Sequence, residues 1–340
     1  MKRLALRAAM IAGALLSSAA GAPELKLTLR MATIVPDGTA FARELKAFGR
    51  EVETETRGEV TVKWVWGGIA GDDVQSADRV DRGQLDGIAS GGMLCEKRAP
   101  THRALRLVGL YRTYQESAYV AGQLRPAIEL EARANGFVYL ADTGIGPSDV
   151  FSRRPLRTLA ELKKERLWIW DTDDVQRAIL DEMGWNVLPL GVAEAGKAYA
   201  ENRHSGFISI PGAMLAFQWS AQAKYAEDVR LSYLTACLLV SNRAFDRLPI
   251  EHQQTLRLAA ARLRSRLSDV MQRQDESLLG GLFQHQGVTT VPVPDEFRRE
   301  LEASARMARE RLGDKLMPVA LMTRVTVLLD EYRRQHAKAP

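Results

Sequence analysis

The chain has 340 residues, 46% of them hydrophobic, with 47 Lys and Arg against 42 Asp and Glu and a formal net charge of +5. That composition excludes a disordered or fibrous protein, and the length suits two globular domains better than one. No Lys/Arg cluster interleaves with aromatic residues, so no nucleic-acid footprint is expected.

The first twenty residues form a separate object. Lys2, Arg3 and Arg7 precede the apolar run Ala8 to Leu16, and small residues follow through Ala22. This is the pattern of a secretory signal, with an apolar run too short to span a bilayer. Cleavage is expected after Ala20, because a cut after Ala22 would place Pro23 directly behind it. No cysteine lies nearby, so a lipid anchor is not indicated. Removing the three cations lowers the charge to +2, and the basicity loses its meaning. Cys95 and Cys237 are the only cysteines. An exported chain can oxidise them, but their sequence separation says nothing about their distance. Cys237 lies in the apolar run YLTACLLVSN, where a buried thiol is the commoner outcome, so two thiols are expected.

LKLTLRMATIV, Leu25 to Val35, reads as a strand closed by Pro36-Asp37-Gly38, and a helix pattern follows from about Phe41 to Thr54. EVTVKWVW alternates as a second strand and stops at Gly67-Gly68. A helix capped at Gly71-Asp72 runs to Gly83, and LDGIAS forms a short strand ending in Gly91-Gly92. This rhythm predicts a mostly parallel sheet with helices on both faces. A helical region lies between Arg103 and Asn135, followed by the strand GFVYLADTG. In RLWIW, Leu167 and Ile169 alternate with Trp168 and Trp170, so one strand face is aliphatic and the other carries two indoles. DDVQRAILDEMG is a helix closed by Gly184; WNVLPL and GFISI are strands, with short helices after each. From Pro249 the chain turns helical, with Leu256, Ala259, Leu263, Leu267 and Val270 on one buried face. TTVPV is a late strand, and Pro294-Asp295 opens another helix. The whole is two α/β lobes with a helical C-terminal third.

In open α/β sheets, ligands bind beyond the carboxyl ends of strands. Here those ends are Val35-Pro36-Asp37, Trp66-Gly67-Gly68, Ser90-Gly91-Gly92, Thr143-Gly144, Trp170-Asp171 and Ile210-Pro211-Gly212. Any one is an ordinary turn; six such ends in two lobes point to a cleft.

Catalytic chemistry does not assemble. The five histidines show no paired metal-ligand spacing, and Ser90-Gly91-Gly92 is not a nucleophile elbow. GGIAGDD has no lysine after its second glycine and is not a phosphate loop. Asp72, Asp73, Asp78 and Asp81 read as a helix start and a solvated face. Cys95 beside Glu96 is a single weak signal with no local partner. No catalysis, metal or cofactor is expected.

Segments spread over nearly the whole chain resemble one family. LRMATIVPDGT resembles its opening strand and ligand loop, and TETRGEVTVKWVWGGIAGDDVQSADRVDRGQLDGIASGG its T-G-G-x-V, glycine turn, G-D-D and G-x-L-D sequence. FSRRPLRTLAELKKERLWIW resembles its S-x-x-P-I segment with the following D-L-K-G-x-K-I-R-V strand, and CLLVSNRAFDRLPIEHQQTL its V-S to L-P segment. By their order and spacing the chain is similar to the periplasmic solute-binding proteins of tripartite ATP-independent periplasmic (TRAP) transporters, extracellular solute-binding protein family 7.

The resemblance implies a two-lobed periplasmic-binding-protein-like α/β fold with long C-terminal helices. Lobe 1 is expected over 24–143, completed by about 228–248, and lobe 2 over 144–227, completed by about 249–335. It further implies a periplasmic receptor that closes on a small ligand and delivers it to membrane subunits, with relatives that work with a helical-repeat partner. A sensing or scaffolding protein without transport is the alternative. Two family arginines that fork a carboxylate fall at Trp168 and near Pro147. Tryptophan offers one N–H and no charge, so the cleft is expected to be more apolar than the family norm, with a ligand that is apolar or weakly acidic. The expected ligand-binding residues are Asp37, Trp66, Ser90, Met93, Trp168, Trp170, Ser209, Met214 and Trp219; should another cation clamp an acid, Arg153 or Arg154 is expected to supply it.

Overall fold

The structure is a computed structural model that describes residues 26–337; the expected signal and its cleavage site lie outside these. The first part of the chain runs β1 (Leu27–Thr33), α1 (Ala40–Glu55), β2 (Val60–Val65), α2 (Asp73–Asp81), β3 (Gly87–Ser90) and α3 (Met93–Arg98), then a 3-10 turn (Pro100–Arg106), α4 (Tyr114–Ala134) and β4 (Phe137–Ser152). The middle holds α5 (Leu159–Lys164), β5 (Arg166–Trp170), α6 (Asp174–Glu182), β6 (Asn186–Leu190), α7 (Val192–Ala200), β7 (Gly206–Ser209), α8 (Pro211–Ala216) and β8 (Tyr225–Ser241). The last part is α9 (Asn242–Asp246), α10 (Ile250–Ser277), a π-helical turn (Leu278–Leu282), α11 (Phe283–His285), β9 (Thr289–Val291), α12 (Asp295–Leu312) and α13 (Val319–His336).

The helix starts follow the side chains available to cap them. Asp72 accepts from the Gln75 amide and forms a reciprocal capping box, Thr158 does the same with Glu161, and Thr39, Thr113 and Asp173 each cap the helix that follows.

The described strands form one sheet in the order β2-β1-β3-β8-β4-β7-β5-β6, with β9 paired to β8. Pairings within the two flanking groups are parallel, β1 with β2 and β3, and β5 with β6 and β7. The antiparallel contacts are all made by the two long strands β4 and β8, of 16 and 17 residues. One half of that ladder, Phe137–Thr143 against Ala236–Ser241, continues into β3; the other, Val150–Ser152 against Tyr225–Glu227, continues into β7. Register shifts fall between Tyr139/Ala141, Gly144/Gly146 and Ser148/Val150, and such bulges bend a strand and sharpen its twist. A Cβ at Gly144 would overlap the Tyr114 ring, so the middle of β4 needs glycine for that packing.

Apolar layers cover both faces. Leu29, Phe48, Val138, Val240 and Leu263 join β1, β4 and β8 to α1 and α10 on one face. On the other, a larger core runs from Ile88 and Leu105 through Tyr139 and Leu239 to Ile179, Phe297 and Leu329. A third, mostly aromatic cluster holds Phe151, Trp168, Tyr199, Phe207, Met214 and Trp219 around β5 and β7. The C-terminal third, expected to complete the second lobe, packs in both directions: α10 on α1 and β4, α13 on α4, and α12 on α5 and α6.

Cys95 and Cys237 form a disulfide with a Cα–Cα separation of 6.2 Å, in place of the two expected thiols. Cys237 is opposite Ser90 in the β3–β8 pairing, and Cys95 follows on α3, so tertiary pairing closes a distance that the sequence leaves open. A loop of 142 residues corresponds to about 5 kcal/mol in the chain-entropy account. Reduction, or the double change Cys95→Ala and Cys237→Ala, is expected to cost about 2–5 kcal/mol in chemical denaturation with far-ultraviolet dichroism preserved in water.

Three carboxyls are held up to about 7 chiefly by burial: Glu96, Asp149 and Glu227. Glu227 is fully buried and accepts from the Ser152 hydroxyl at 2.7 Å and the Leu156 amide at 3.2 Å. A raised folded-state pKa contributes stability below the unfolded value near 4.3 that is lost as pH rises through about 7. Melting temperature is therefore expected to fall between pH 5 and 8, and Glu227→Gln to flatten that fall by ~2 kcal/mol. A steeper fall in the variant would contradict the assignment.

Candidate functional site

Four of the six expected strand ends converge on one cavity, and two, Trp66-Gly67-Gly68 and Thr143-Gly144, do not border it. Ile34-Val35-Pro36 after β1, Ser90-Gly91 at the end of β3, Trp170 at the end of β5 and Ser209-Ile210 after β7 surround one cavity of about 150 Å³. Its wall is the bulged middle of the long ladder, Ile145 and Ser148 from β4 with Leu234 and Ala236 from β8. Phe41, Val192, Phe217 and Met271 close it from the covering helices.

Six of the nine residues expected at the site line this cavity: Ser90, Met93, Trp168, Trp170, Ser209 and Trp219. Three do not. Asp37 lies on the exposed loop before α1, paired with Lys46. Trp66 packs on Trp64 with ring centroids 5.4 Å apart, under the Lys46 ammonium, because β2 is the outermost strand of its edge. Met214 points inward from α8 into the aromatic cluster and is fully buried.

The two indoles share a strand face, as their alternation implies, but differ in use. Trp168 is 3% exposed; its Nε1–H donates to the Leu190 carbonyl at 3.0 Å, and its ring meets Trp219 edge-on at 5.0 Å. Trp170 is only partly buried, packs toward Gly91, and has no protein partner for its N–H. Trp168 thus serves the core and the cavity together, and Trp170 mainly the cavity.

The cavity holds a cation that the sequence reading missed. Arg106, from the 3-10 turn, is 1% exposed and lines the cavity. Its Nη1 donates to the Gly91 carbonyl at 3.2 Å, its Nη2 to the Asp173 carboxylate, and its Nε lies 3.5 Å from Glu96. Asp173, which begins α6, also lines the cavity. Gly92 permits this arrangement: at φ 116° it lies in the left-handed region, and a Cβ there would collide with the guanidinium and come within 2.7 Å of the Thr235 carbonyl. Arg153 and Arg154, the expected alternative cations, are spent elsewhere. The first lies over the Tyr199 ring at 3.8 Å and the second pairs with Glu165. The sequence signal for Arg106 was its setting, a lone arginine inside the apolar run Ala104-Leu105-Arg106-Leu107-Val108.

Below the cavity, the Ser90 hydroxyl donates to Asp73 and accepts from the Gly92 and Leu94 amides at 3.1 and 3.3 Å. Burial raises Asp73 to about 6. His102 is buried with neither ring nitrogen partnered and is lowered to about 3, so it stays neutral. No group of His, Cys, Asp and Glu among the described residues could hold a metal ion. The site therefore offers apolar enclosure, a few hydrogen bonds and one buried ion-pair cluster.

Comparison with known proteins gives a consistent picture. The family model for bacterial extracellular solute-binding protein, family 7, matches residues 31–312. No curated protein matches the chain. Among solved structures, an extracytoplasmic solute receptor of Bordetella pertussis binding pyroglutamic acid superposes with a TM-score of 0.80 at 19% identity, covering 90% of this chain and 99% of that one. A TRAP periplasmic solute-binding protein of Pseudomonas putida F1 with bound D-glucuronate gives 0.80 at 18% identity, covering 88% and 97%. One from Bordetella bronchiseptica, with density assigned to pantoate, gives 0.81 at 15% identity, covering 88% and 98%. With the family model matched over most of its length and the fold shared throughout, the chain belongs to the bacterial extracellular solute-binding protein family 7.

Proposed function

We propose that this solute-binding protein is the periplasmic receptor of a TRAP-type transporter, capturing a small ligand in the cavity lined by Trp168, Trp170 and Trp219 and delivering it to the membrane subunits. The observation that carries the reading is the cavity itself, at the carboxyl ends of strands from both flanking groups of the sheet. Its lining is mostly aliphatic and aromatic, which favours a ligand with an apolar body. Two lobes, 24–143 with about 228–248 and 144–227, fit the two strand groups, with the C-terminal helices shared between them. Ion pairing of Arg106 with Asp173 crosses from one to the other.

Several features support an exported receptor without catalytic activity. The N-terminal pattern reads as a signal peptide cleaved after Ala20, and the disulfide suits an oxidising compartment. No helix among the described residues is long and apolar enough to cross a membrane. Cys95, the one residue with a weak catalytic signal, is bonded to Cys237. A helical-repeat periplasmic partner is supported by the sequence resemblance alone.

If the lobes close on ligand, a co-purified or added ligand raises the melting temperature by mass action and lowers the radius of gyration in small-angle scattering. Identical scattering with and without a ligand that stabilises the protein would favour the rigid sensing or scaffolding alternative. The two indoles separate stability from binding. Trp168→Ala is expected to cost about 3–5 kcal/mol of folding stability, the range for emptying a buried aromatic site. Trp170→Ala is expected to leave folding within about 1 kcal/mol and weaken ligand by ~1–3 kcal/mol, read by calorimetry. Equal losses of stability in both variants would contradict this division.

A further inference from the structure

Arg106 is the only cation lining the cavity among the described residues, and its charge is already committed. One guanidinium serves two carboxylates, Asp173 at Nη2 and Glu96 at 3.5 Å from Nε, and the Gly91 carbonyl at Nη1. Asp173 is held in place, because its other oxygen accepts from the Gln176 amide as the cap of α6. Asp73 adds a further acidic group within electrostatic reach of Arg106. The cluster therefore carries no net positive charge: Asp173 cancels Arg106, and ionisation of Glu96 or Asp73 makes it negative. An incoming carboxylate would surrender its hydration and meet a cation shared by fixed anions.

Apart from the Arg106 Nε, which makes no hydrogen bond and lies 3.5 Å from the Glu96 carboxylate, the donors left over in the lining are neutral. The Trp170 Nε1–H and the Ser148 hydroxyl are buried without protein partners, and both side chains line the cavity. Each is a neutral donor, suited to a neutral oxygen acceptor. The surrounding Ile34, Met93, Ile208 and Phe217 provide apolar enclosure.

We propose that the cavity selects an uncharged ligand, an apolar body carrying a ketone, ester, amide or alcohol oxygen, and turns away organic acids such as those seen in its structural neighbours. This rests on the receptor reading above. Internal neutralisation of Arg106 sets the selectivity, and Trp170 and Ser148 read the ligand oxygen.

Matched pairs test it: benzoate against benzamide and methyl benzoate, and hexanoate against hexanamide and methyl hexanoate, by calorimetry and thermal melting at pH 8. The neutral member of each pair is expected to bind about tenfold or more tightly than its acid. Ser148→Ala and Trp170→Phe should each weaken the neutral ligands roughly three- to tenfold, the size of one hydrogen bond. Combining Glu96→Gln with Asp173→Asn releases the Arg106 charge and should shift the preference toward the acids by about tenfold or more. Should that protein fail to fold, Glu96→Gln alone, which keeps the Asp173 cap, should shift it in the same direction. Acids that bind the wild type as tightly as their neutral partners overturn the inference and leave the receptor reading standing. A neutral preference unmoved by the charge variants overturns it as well. Stabilisation by no member of either series overturns the inference, and the receptor reading is then decided by the co-purified ligand in the melting and scattering test above.

Discussion

The antiparallel ladder between β4 and β8 is the constraint on which the rest depends. Each strand is long enough to belong to both flanking strand groups, with β3 beside one half of the ladder and β7 beside the other. Its bulged middle supplies Ile145, Ser148, Leu234 and Ala236 to the cavity wall. A register slip of one residue would exchange the faces of every side chain along it, removing the wall and the core together. Cys237 lies in the same ladder, so the disulfide to α3 pins the strand where Ser90 and Gly91 border the cavity. Fold and site are in this sense the same set of contacts.

Within that frame, the balance of charge decides what kind of cavity results. Burying an arginine in an apolar site is costly unless anions offset its charge, and here Asp173 does so by hydrogen bond and ion pair and Glu96 by charge at 3.5 Å. The same pairing that lets Arg106 be buried removes it from use as a free clamp. Burial in turn holds Glu96 near 7, and in either of its protonation states the cluster has no positive charge to spare. Structural neighbours with bound pyroglutamic acid and D-glucuronate share the fold at 18–19% identity. Fold alone does not carry ligand chemistry, which is set by the side chains of each site.

The aromatic cluster around β5 and β7 links the two themes. Phe207 stacks on Trp219 at 5.0 Å, and Trp168 meets both rings edge-on, so the cavity's aromatic side is also a core. Trp168 thereby does two things: it fills a packed layer and presents an apolar surface to the cavity.

Much of this was legible in sequence where the signal is local. Alternation in RLWIW, the Asp72 and Thr158 caps, and the periodic face of α10 act within a few residues, and each element formed as its pattern implies. Of the six strand ends that pointed to a cleft, four border the cavity, and six of the nine expected residues are in its lining. What failed was non-local. The strand GFVYLADTG was expected to end at Thr143-Gly144, yet pairing with β8 carries β4 to Ser152. Trp66 and Met214 missed the cavity because strand order and helix rotation, not residue type, decide which surface a side chain meets. The disulfide and the Arg106 cluster join residues 142, 67 and 10 positions apart. The sequence by itself determined the elements, their caps and the family. Only the tertiary structure decided which charges neutralise one another and which side chains enclose the ligand, because Coulomb energy and packing depend on distance in space, and local periodicity does not encode that.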